Sequence, residues 1–217
     1  IYTILFDLDG TLVNTAPDLM AAHNHVMKKF GKAEKKLSDI KTLASRGAWV
    51  MMQKSFKNET DDEDFKKKMT KEFIDYYSKN ISHQSKPLNG VVNFLKWAKE
   101  KNITMAICTN KQEHLANSLL KDLKLLEFFS FVAGANTFSY NKPDPRHLTD
   151  VVEIVEGDLK KTIMVGDSEV DAMSAHNAKV PFVLVKDGYT EKSEKEIQHN
   201  ELISDFTGFE NIIEKYL

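Results

Sequence analysis

The chain has 217 residues, of which 29% are charged and 41% hydrophobic, and its formal net charge is −2. This length is enough for one large or two modest domains, and the balance of charges gives no reason to expect nucleic acid or an anionic membrane as a partner. No apolar stretch approaches the roughly 20 residues that a membrane-spanning helix needs, so the composition indicates a compact globular protein.

The first predicted strand, residues 2–8, ends in two carboxylates that are one residue apart. Period-two alternation puts Asp7 and Asp9 on the same side of an extended chain, where like charges at ~4 Å repel by ~4 kcal/mol at an effective dielectric constant of ~20. A cation or a proton has to compensate for this repulsion, while Gly10 lets the backbone turn sharply away from the strand. Taken alone, the motif is equally compatible with a solvated acidic turn.

The segment of residues 14–86 is predicted to be helical, with helices over residues 44–56 and 64–78. From residue 87 onward, helices alternate with strands over residues 104–108, 130–133, 162–165 and 181–185. Such alternation indicates a parallel sheet with helices on both faces, and the first strand has to join it. The sequence therefore predicts an α/β core of residues 1–13 and 87–217 with a helical insertion of residues 14–86.

Polar side chains follow two further strands of the predicted sheet. Thr109 and Asn110 follow the strand of residues 104–108, and Asp167 follows the strand of residues 162–165, with Asp171 one helical turn later. Lys142 lies in a loop before a predicted helix. Each of these residues could be an ordinary turn, helix cap or surface side chain. Together they indicate a ligand site, because parallel sheets bind ligands beyond the carboxyl ends of their strands.

The types of side chain limit the chemistry of this site. Carboxylate oxygens suit Mg²⁺ better than zinc, which favours His and Cys, and the seven histidines show no zinc-site spacing. A single cysteine excludes an internal disulfide. Cys108 lies in an apolar strand, and we predict a buried small hydrophobic residue rather than a nucleophile.

With these four motifs in this order, the chain resembles phosphatases of the haloacid dehalogenase superfamily over essentially its whole length. The flank of residues 14–19 is most similar to the phosphoglycolate phosphatase branch. The chain departs from the family at Asn14, where Asp is frequent, and at Lys179, where a Gly usually ends a helix. The resemblance implies a Rossmann-like parallel sheet whose helical insertion is a mobile cap over the active site.

The resemblance also implies a two-step phosphoryl transfer. Asp7 would attack phosphorus and form an aspartyl-phosphate, while Asp9 would protonate the departing alkoxide and then activate water. Thr109 and Asn110 would donate hydrogen bonds to phosphoryl oxygens, and Lys142 would stabilise the charge of the transition state.

The metal site is implied in the same way. Mg²⁺ would be bound by Asp7, Asp9 and Asp167 and would bridge Asp7 to the phosphoryl group. Gly10 and Asp171 would support this site, with Asp171 acting through water or by positioning its neighbours.

The predicted substrate is a small phosphorylated metabolite, and the family branch suggests 2-phosphoglycolate. Its carboxylate needs a partner under the cap, for which Arg46 is the best candidate, because Gly47 permits close backbone approach and Arg offers a two-pronged donor. Arg46 could equally begin a cap helix and point to solvent. We expect a monomer or homodimer without nucleic-acid or membrane partners.

The N-terminal residues lack a basic segment followed by a long apolar one, so no secretory signal is visible. We therefore expect a cytoplasmic protein. Because the sequence does not begin with Met, it leaves open whether a leader was removed before Ile1.

Rival functions use similar residues. A phospho-acceptor switch also combines an Asp cluster, a Thr and a Lys on a parallel sheet, but the helical insertion and the second carboxylate of the first motif argue against it. A non-catalytic phosphate-binding protein is disfavoured because no catalytic position is missing. A sugar-phosphate mutase would also use Asp7 and Asp9, whereas a dehalogenase would have little use for Asp9 or a metal.

Overall fold

The computed structural model describes residues 2–44, 46–56 and 62–216. In chain order the strands are β1 (Thr3–Phe6), β2 (Val13–Asn14), β3 (Lys86–Pro87), β4 (Thr104–Cys108), β5 (Phe131–Ala133), β6 (Thr162–Gly166), β7 (Phe182–Val185) and β8 (Glu201–Ile203). Six of them form one parallel sheet in the order β5-β4-β1-β6-β7-β8. The α/β fold with a parallel sheet, predicted from the alternating pattern, is confirmed.

The central strand β1 fixes the geometry of the functional edge. All four of its residues are buried, as expected for a strand covered on both faces. Phe6 is level with Ile107 of β4 and Val165 of β6. The segments that follow these three strands therefore emerge side by side at one edge of the sheet.

Helices cover both faces of the sheet. They are, in chain order, α1 (Ala16–Lys29), α2 (Ile40–Leu43), α3 (Gly47–Phe56), α4 (Glu63–Lys79), α5 (Val91–Glu100), α6 (Glu113–Asp122), α7 (Arg146–Ile154), α8 (Glu169–Ala178) and α9 (Glu210–Ile213). Apolar residues of α7 and α8 pack on one face together with Leu5 of β1. Those of α5, α6 and α9 pack on the other face together with Ile4 and Phe6. Alternate residues of β1 thus supply both halves of the core.

Helices α1–α4 lie between β2 and β3, which pair antiparallel as a two-stranded connection. Asn14 is level with Lys86, so the two predicted ends of the helical cap meet in this pair. Helix α4, predicted over residues 64–78, packs against α1 and α3, and its Met69 and Phe73 side chains are buried. Residues 1 and 217 lie outside the described residues, and the division into core and cap stays a prediction.

Two details of the cap depend on particular side chains. The buried carboxylate of Asp18 accepts hydrogen bonds from the backbone N–H groups of Gln84 and Ser85 and from the Ser85 hydroxyl, which ties α1 to the segment before β3. The helix predicted to start at residue 44 begins at Gly47, and Ser45 lies outside the described residues.

The end of α8 and three short strands differ from what the sequence pattern indicates. Lys179 ends α8 with a φ of 59°, the left-handed conformation that Gly adopts more readily. The edge strand β8 and the pair of β2 and β3 were not predicted.

Within the ranges described above, no helix is long and apolar enough to cross a membrane.

Candidate active site

Asp7 follows β1 directly and is buried beside Lys142, whose Nζ lies 2.9 Å from its Oδ1 atom. Burial is the main cause that raises the pKa of Asp7 to about 6. Lys142 opposes this shift, and the charges of Asp171 and Asp9 add to it. The Asp7 side chain is thus held at the end of the central strand, and its negative charge is only partly balanced by protein groups.

Asp167 occupies the equivalent place after β6. Its carboxylate accepts hydrogen bonds from the hydroxyl of Thr11 at 2.8 Å and from the backbone N–H of Tyr189 at 2.6 Å. Gly10 has a φ of 82°, and a Cβ atom there would lie 2.5 Å from Oδ2 of Asp167. Gly10 is therefore needed both for the turn after β1 and for the close packing of Asp167.

Asp171 links α8 to Lys142. Its Oδ2 atom accepts hydrogen bonds from the backbone N–H and the hydroxyl of Ser168 at the start of α8. Its Oδ1 atom lies 2.5 Å from Nζ of Lys142. Although burial lowers the pKa of Lys142, its two carboxylate partners raise it further, so the net shift is upward and the ammonium group keeps its charge. This geometry positions Lys142 between Asp171 and Asp7.

Oxygen atoms of Asp7, Asp167 and Asp171 lie within 4.8 Å of one another and form an acidic cluster. Burial raises the pKa of Asp167 well above its usual range, and repulsion from the other two carboxylates adds to this shift. One lysine does not neutralise three carboxylates. Because all the side-chain donors of the acidic cluster are hard oxygen atoms, it fits Mg²⁺.

Asp9, which was predicted among the metal ligands, lies outside this cluster of described residues. Its carboxylate turns to Lys111, whose Nζ lies 2.8 Å from both oxygens. Asp171 supplies the third carboxylate instead, because α8 begins soon after β6 and brings it back beside Asp167. The geometry therefore favours Asp171 over the Asp9 side chain, and metal binding by any of these residues stays a prediction.

Thr109 and Asn110 follow β4 and are buried. The Thr109 hydroxyl accepts a hydrogen bond from the backbone N–H of Lys111 at 3.2 Å. The side-chain amide of Asn110 donates to the backbone carbonyl of Lys142 at 3.0 Å, which joins the two loops. The Asn110 amide thus serves to position Lys142, a role that its place in the sequence did not reveal.

A cavity of about 60 Å³ opens between these residues and the helical segment that joins β2 to β3. The sheet side of its wall consists of Asp7, Asp9, Thr109, Asn110, Lys111, Gln112 and Leu115, and the helical segment contributes Leu19, Ala44, Gly47, Ala48, Met51, Phe73 and Tyr77. Since a single water needs about 10–15 Å³ on such a measure, the cavity admits only a small ligand. Asp7 and Asp9 both line this cavity, as expected from the period-two alternation of an extended chain.

Arg46 is exposed and lies directly before α3. The next residue, Gly47, lines the cavity, and a Cβ atom there would lie 2.7 Å from the carbonyl oxygen of Asn110. The close approach expected at Gly47 is therefore made to the backbone of the core. Contact between Arg46 and a substrate stays a prediction.

Lys111 and Cys108 also lie next to the site. Lys111 was not predicted as a site residue, since nothing in the local sequence separates it from a surface lysine. Cys108 is buried, and burial raises the pKa of its thiol to about 12. Such a thiol is not ionised near neutral pH and does not act as a nucleophile.

Comparison with known proteins gives consistent matches over the chain. A family model described as haloacid dehalogenase-like hydrolase matches residues 4–185. A phosphoglycolate phosphatase of Agrobacterium fabrum is 36% identical over 97% of this chain and 94% of its own length. Another, of Caulobacter vibrioides, is 39% identical over 88% of this chain and 81% of its own. A crystal structure described as a predicted phosphoglycolate phosphatase from Haemophilus somnus has a TM-score of 0.91 at 27% identity, covering 98% of this chain and 97% of that one.

Proposed function

The chain belongs to the family of haloacid dehalogenase-like hydrolases, and we propose that it is a Mg²⁺-dependent phosphatase that hydrolyses 2-phosphoglycolate to glycolate and phosphate. The observation that carries this proposal is the buried Asp7 at the end of β1, which faces a small cavity and contacts Lys142 at 2.9 Å. The names of the relatives support phosphoglycolate as the substrate.

In the first step an Asp7 oxygen attacks phosphorus, and the bond between phosphorus and the leaving oxygen breaks. The electron pair of that bond goes to the leaving oxygen, which takes a proton from Asp9 and departs as an alcohol. In the second step Asp9 removes a proton from water as the water attacks the aspartyl-phosphate. Inorganic phosphate leaves, and Asp7 is regenerated.

Other residues of the chain position these groups. Lys142 stabilises the negative charge that spreads over the phosphoryl oxygens, and Asp171 and Asn110 hold it in place. Thr109 lines the cavity beside Asp7, where its hydroxyl is available to a phosphoryl oxygen. Apolar cap residues such as Met51 and Phe73 exclude bulk water.

The acidic cluster of Asp7, Asp167 and Asp171 would hold Mg²⁺. When bound, the ion would offset the repulsion among these carboxylates and the charge of the incoming phosphate.

The decisive experiment is an assay of phosphate release from a panel of small phosphomonoesters with Mg²⁺. We expect repeated turnover and the highest kcat/KM with 2-phosphoglycolate. A protein that takes up one phosphate and holds it would be a phospho-acceptor switch. Isomerisation of sugar phosphates without net phosphate release would indicate a mutase, and preference for another phosphomonoester would change the substrate but keep the phosphatase.

We further propose that the enzyme acts in the cytoplasm on a dissolved metabolite, as a monomer or homodimer. Size-exclusion chromatography with light scattering distinguishes these two states.

A further inference from the structure

Lys111 is a buried cation in the wall of the cavity. Its side chain is 4% exposed, and its Nζ atom lies 2.8 Å from both carboxylate oxygens of Asp9. The same atom lies 4.6 Å from the centre of the Tyr77 ring, which belongs to the cap. Lys111 is thus held by one residue of the core and covered by one residue of the cap.

Few positively charged side chains in the cavity wall could bind an anionic leaving group. Among the residues that the structure describes, Lys111 is the single positively charged side chain that lines the cavity. Lys142 lies outside the wall and contacts Asp7 and Asp171. A carboxylate that enters this largely apolar space needs a cation or hydrogen-bond donors in place of water. Within the cavity, Lys111 is the group that supplies the charge.

Tyr77 offers a second donor at the same place. Its side chain is buried and lines the cavity, and its hydroxyl oxygen has no hydrogen-bond partner among the described residues. Buried hydroxyl groups normally have a partner, and an oxygen atom of a substrate would provide one. Lys111 and Tyr77 therefore combine a cation from the core with a hydroxyl from the cap beside Asp9.

We propose that Lys111 binds the carboxylate of the leaving group and thereby makes the enzyme specific for acidic phosphomonoesters, with Tyr77 as the cap's contribution. In the free protein Lys111 contacts Asp9, and the substrate carboxylate replaces Asp9 as its partner. Asp9 is then free to turn to the leaving oxygen. This inference rests on the proposed phosphatase function and adds a residue that selects the leaving group.

The test compares 2-phosphoglycolate with ethyl phosphate, in which a methyl group replaces the carboxylate. The Lys111→Met variant keeps the apolar stem and removes the charge. We expect its KM for 2-phosphoglycolate to rise at least roughly tenfold, the loss of one charged contact, with the KM for ethyl phosphate nearly unchanged. Lys111→Arg should keep most of the preference, and Tyr77→Phe should lose a smaller part of it.

Two control variants make the comparison interpretable. Lys121→Met changes an exposed lysine of α6 and should affect neither substrate. If Lys111→Met does not fold, as judged by circular dichroism, Lys111→Gln removes the charge but keeps a hydrogen-bond donor for Asp9, and the same split between substrates is expected.

The outcomes separate this inference from the proposed substrate. An equal loss on both substrates would mean that Lys111 serves Asp9 alone, and no change on either would also overturn the inference. A wild-type enzyme without preference for carboxylated over uncharged leaving groups would overturn it as well. If the wild type instead prefers another carboxylated phosphomonoester, the proposed substrate fails, and Lys111→Met must still abolish that preference.

Discussion

The backbone N–H of Thr15 donates a hydrogen bond of 2.9 Å to the hydroxyl oxygen of Tyr189, although 174 residues separate them in the chain. The same oxygen accepts from the N–H of Ala16 at 2.8 Å, at the start of α1. The backbone N–H of Tyr189 donates to Asp167 of the acidic cluster. One residue therefore connects the beginning of the cap to a predicted metal ligand.

Tyr189→Phe should lower the free energy of unfolding by about 1–3 kcal/mol, because the buried N–H of Thr15 loses its acceptor. Urea denaturation measures this change. Tyr140→Phe is the matched control, since the Tyr140 hydroxyl contacts Asp150 in a more exposed place and its loss should have little effect. Equal stability of Tyr189→Phe and wild type would show that water replaces the hydroxyl without cost.

The sequence located the end of β4 at residue 108 and the end of β6 to within one residue, whereas β1 ends at Phe6, two residues before its predicted end. Each of these strands is an apolar run that stops at small or acidic polar residues, and in a parallel sheet such ends converge. The sequence alone therefore predicts Asp7, Thr109 and Asp167 at one edge of the sheet. This inference needs only local pattern and one rule of topology.

The contacts between distant segments could not be predicted. Lys111 looks like any surface lysine until the fold brings Asp9 to it, and Tyr189 lies in a loop without a recognisable motif. The third carboxylate of the acidic cluster depends on how α8 turns back after β6. The i, i+4 spacing of Asp167 and Asp171 indicates that these two side chains lie close together, but it does not show whether Asp171 or Asp9 joins the cluster. Strand β8, from Glu201 to Ile203, is too short to give a periodic signal.

Asp7→Asn should abolish turnover and leave the fold intact, since the amide has nearly the shape of the carboxylate but is a poor nucleophile. We expect less than about 1% of the wild-type rate, equivalent to a barrier increase of at least ~2.8 kcal/mol. Steady-state kinetics measure the rate, and near-ultraviolet circular dichroism checks the fold. A folded variant above this limit would assign the attack to another residue.

Activity should disappear with EDTA and return with Mg²⁺, because the acidic cluster offers only oxygen ligands among its side chains. Ca²⁺ should bind but support little turnover, since its longer bonds and higher coordination number displace Asp7. The rate of phosphate release measures the activity, and a shift of the melting temperature reports the binding of each ion. Full activity in metal-free buffer would contradict this prediction, and reactivation by zinc alone would show that the ligand chemistry is different.

The contribution of Asp7 to the stability of the metal-free protein should fall as the pH rises from about 4 to about 6. Folding raises the pKa of Asp7 from 3.8 to about 6, with burial as the main cause. Between these values the native state holds a proton that the unfolded state has released, so the free energy of unfolding falls with pH. A shift of this size corresponds to roughly 3 kcal/mol at about 1.4 kcal/mol per pKa unit.

Urea denaturation in EDTA across this pH range measures the slope. Asp7→Asn removes one of the two carboxylates with a raised pKa and should make the slope less steep, while Asp167 still contributes to it, which provides the control. Mg²⁺ should stabilise the protein more at neutral than at acid pH, because protons and the cation compete for the same carboxylates. Equal slopes for the metal-free wild type and Asp7→Asn would contradict the assigned environment of Asp7.

Arg46→Ala should raise the KM for 2-phosphoglycolate at least roughly tenfold, or ~1.4 kcal/mol, if its guanidinium reaches the substrate carboxylate. Arg46 is exposed, and Gly47 beside it lines the cavity and approaches Asn110 closely. Hydrolysis of an uncharged aryl phosphate should change little, because that leaving group has no carboxylate. Combining Arg46→Ala with Lys111→Met tests whether both cations hold the same group, since the losses of residues that share a partner do not add. Equal losses on both substrates would assign Arg46 to folding or general phosphate binding, and no loss on either would make it a solvent-exposed residue without a role in recognition.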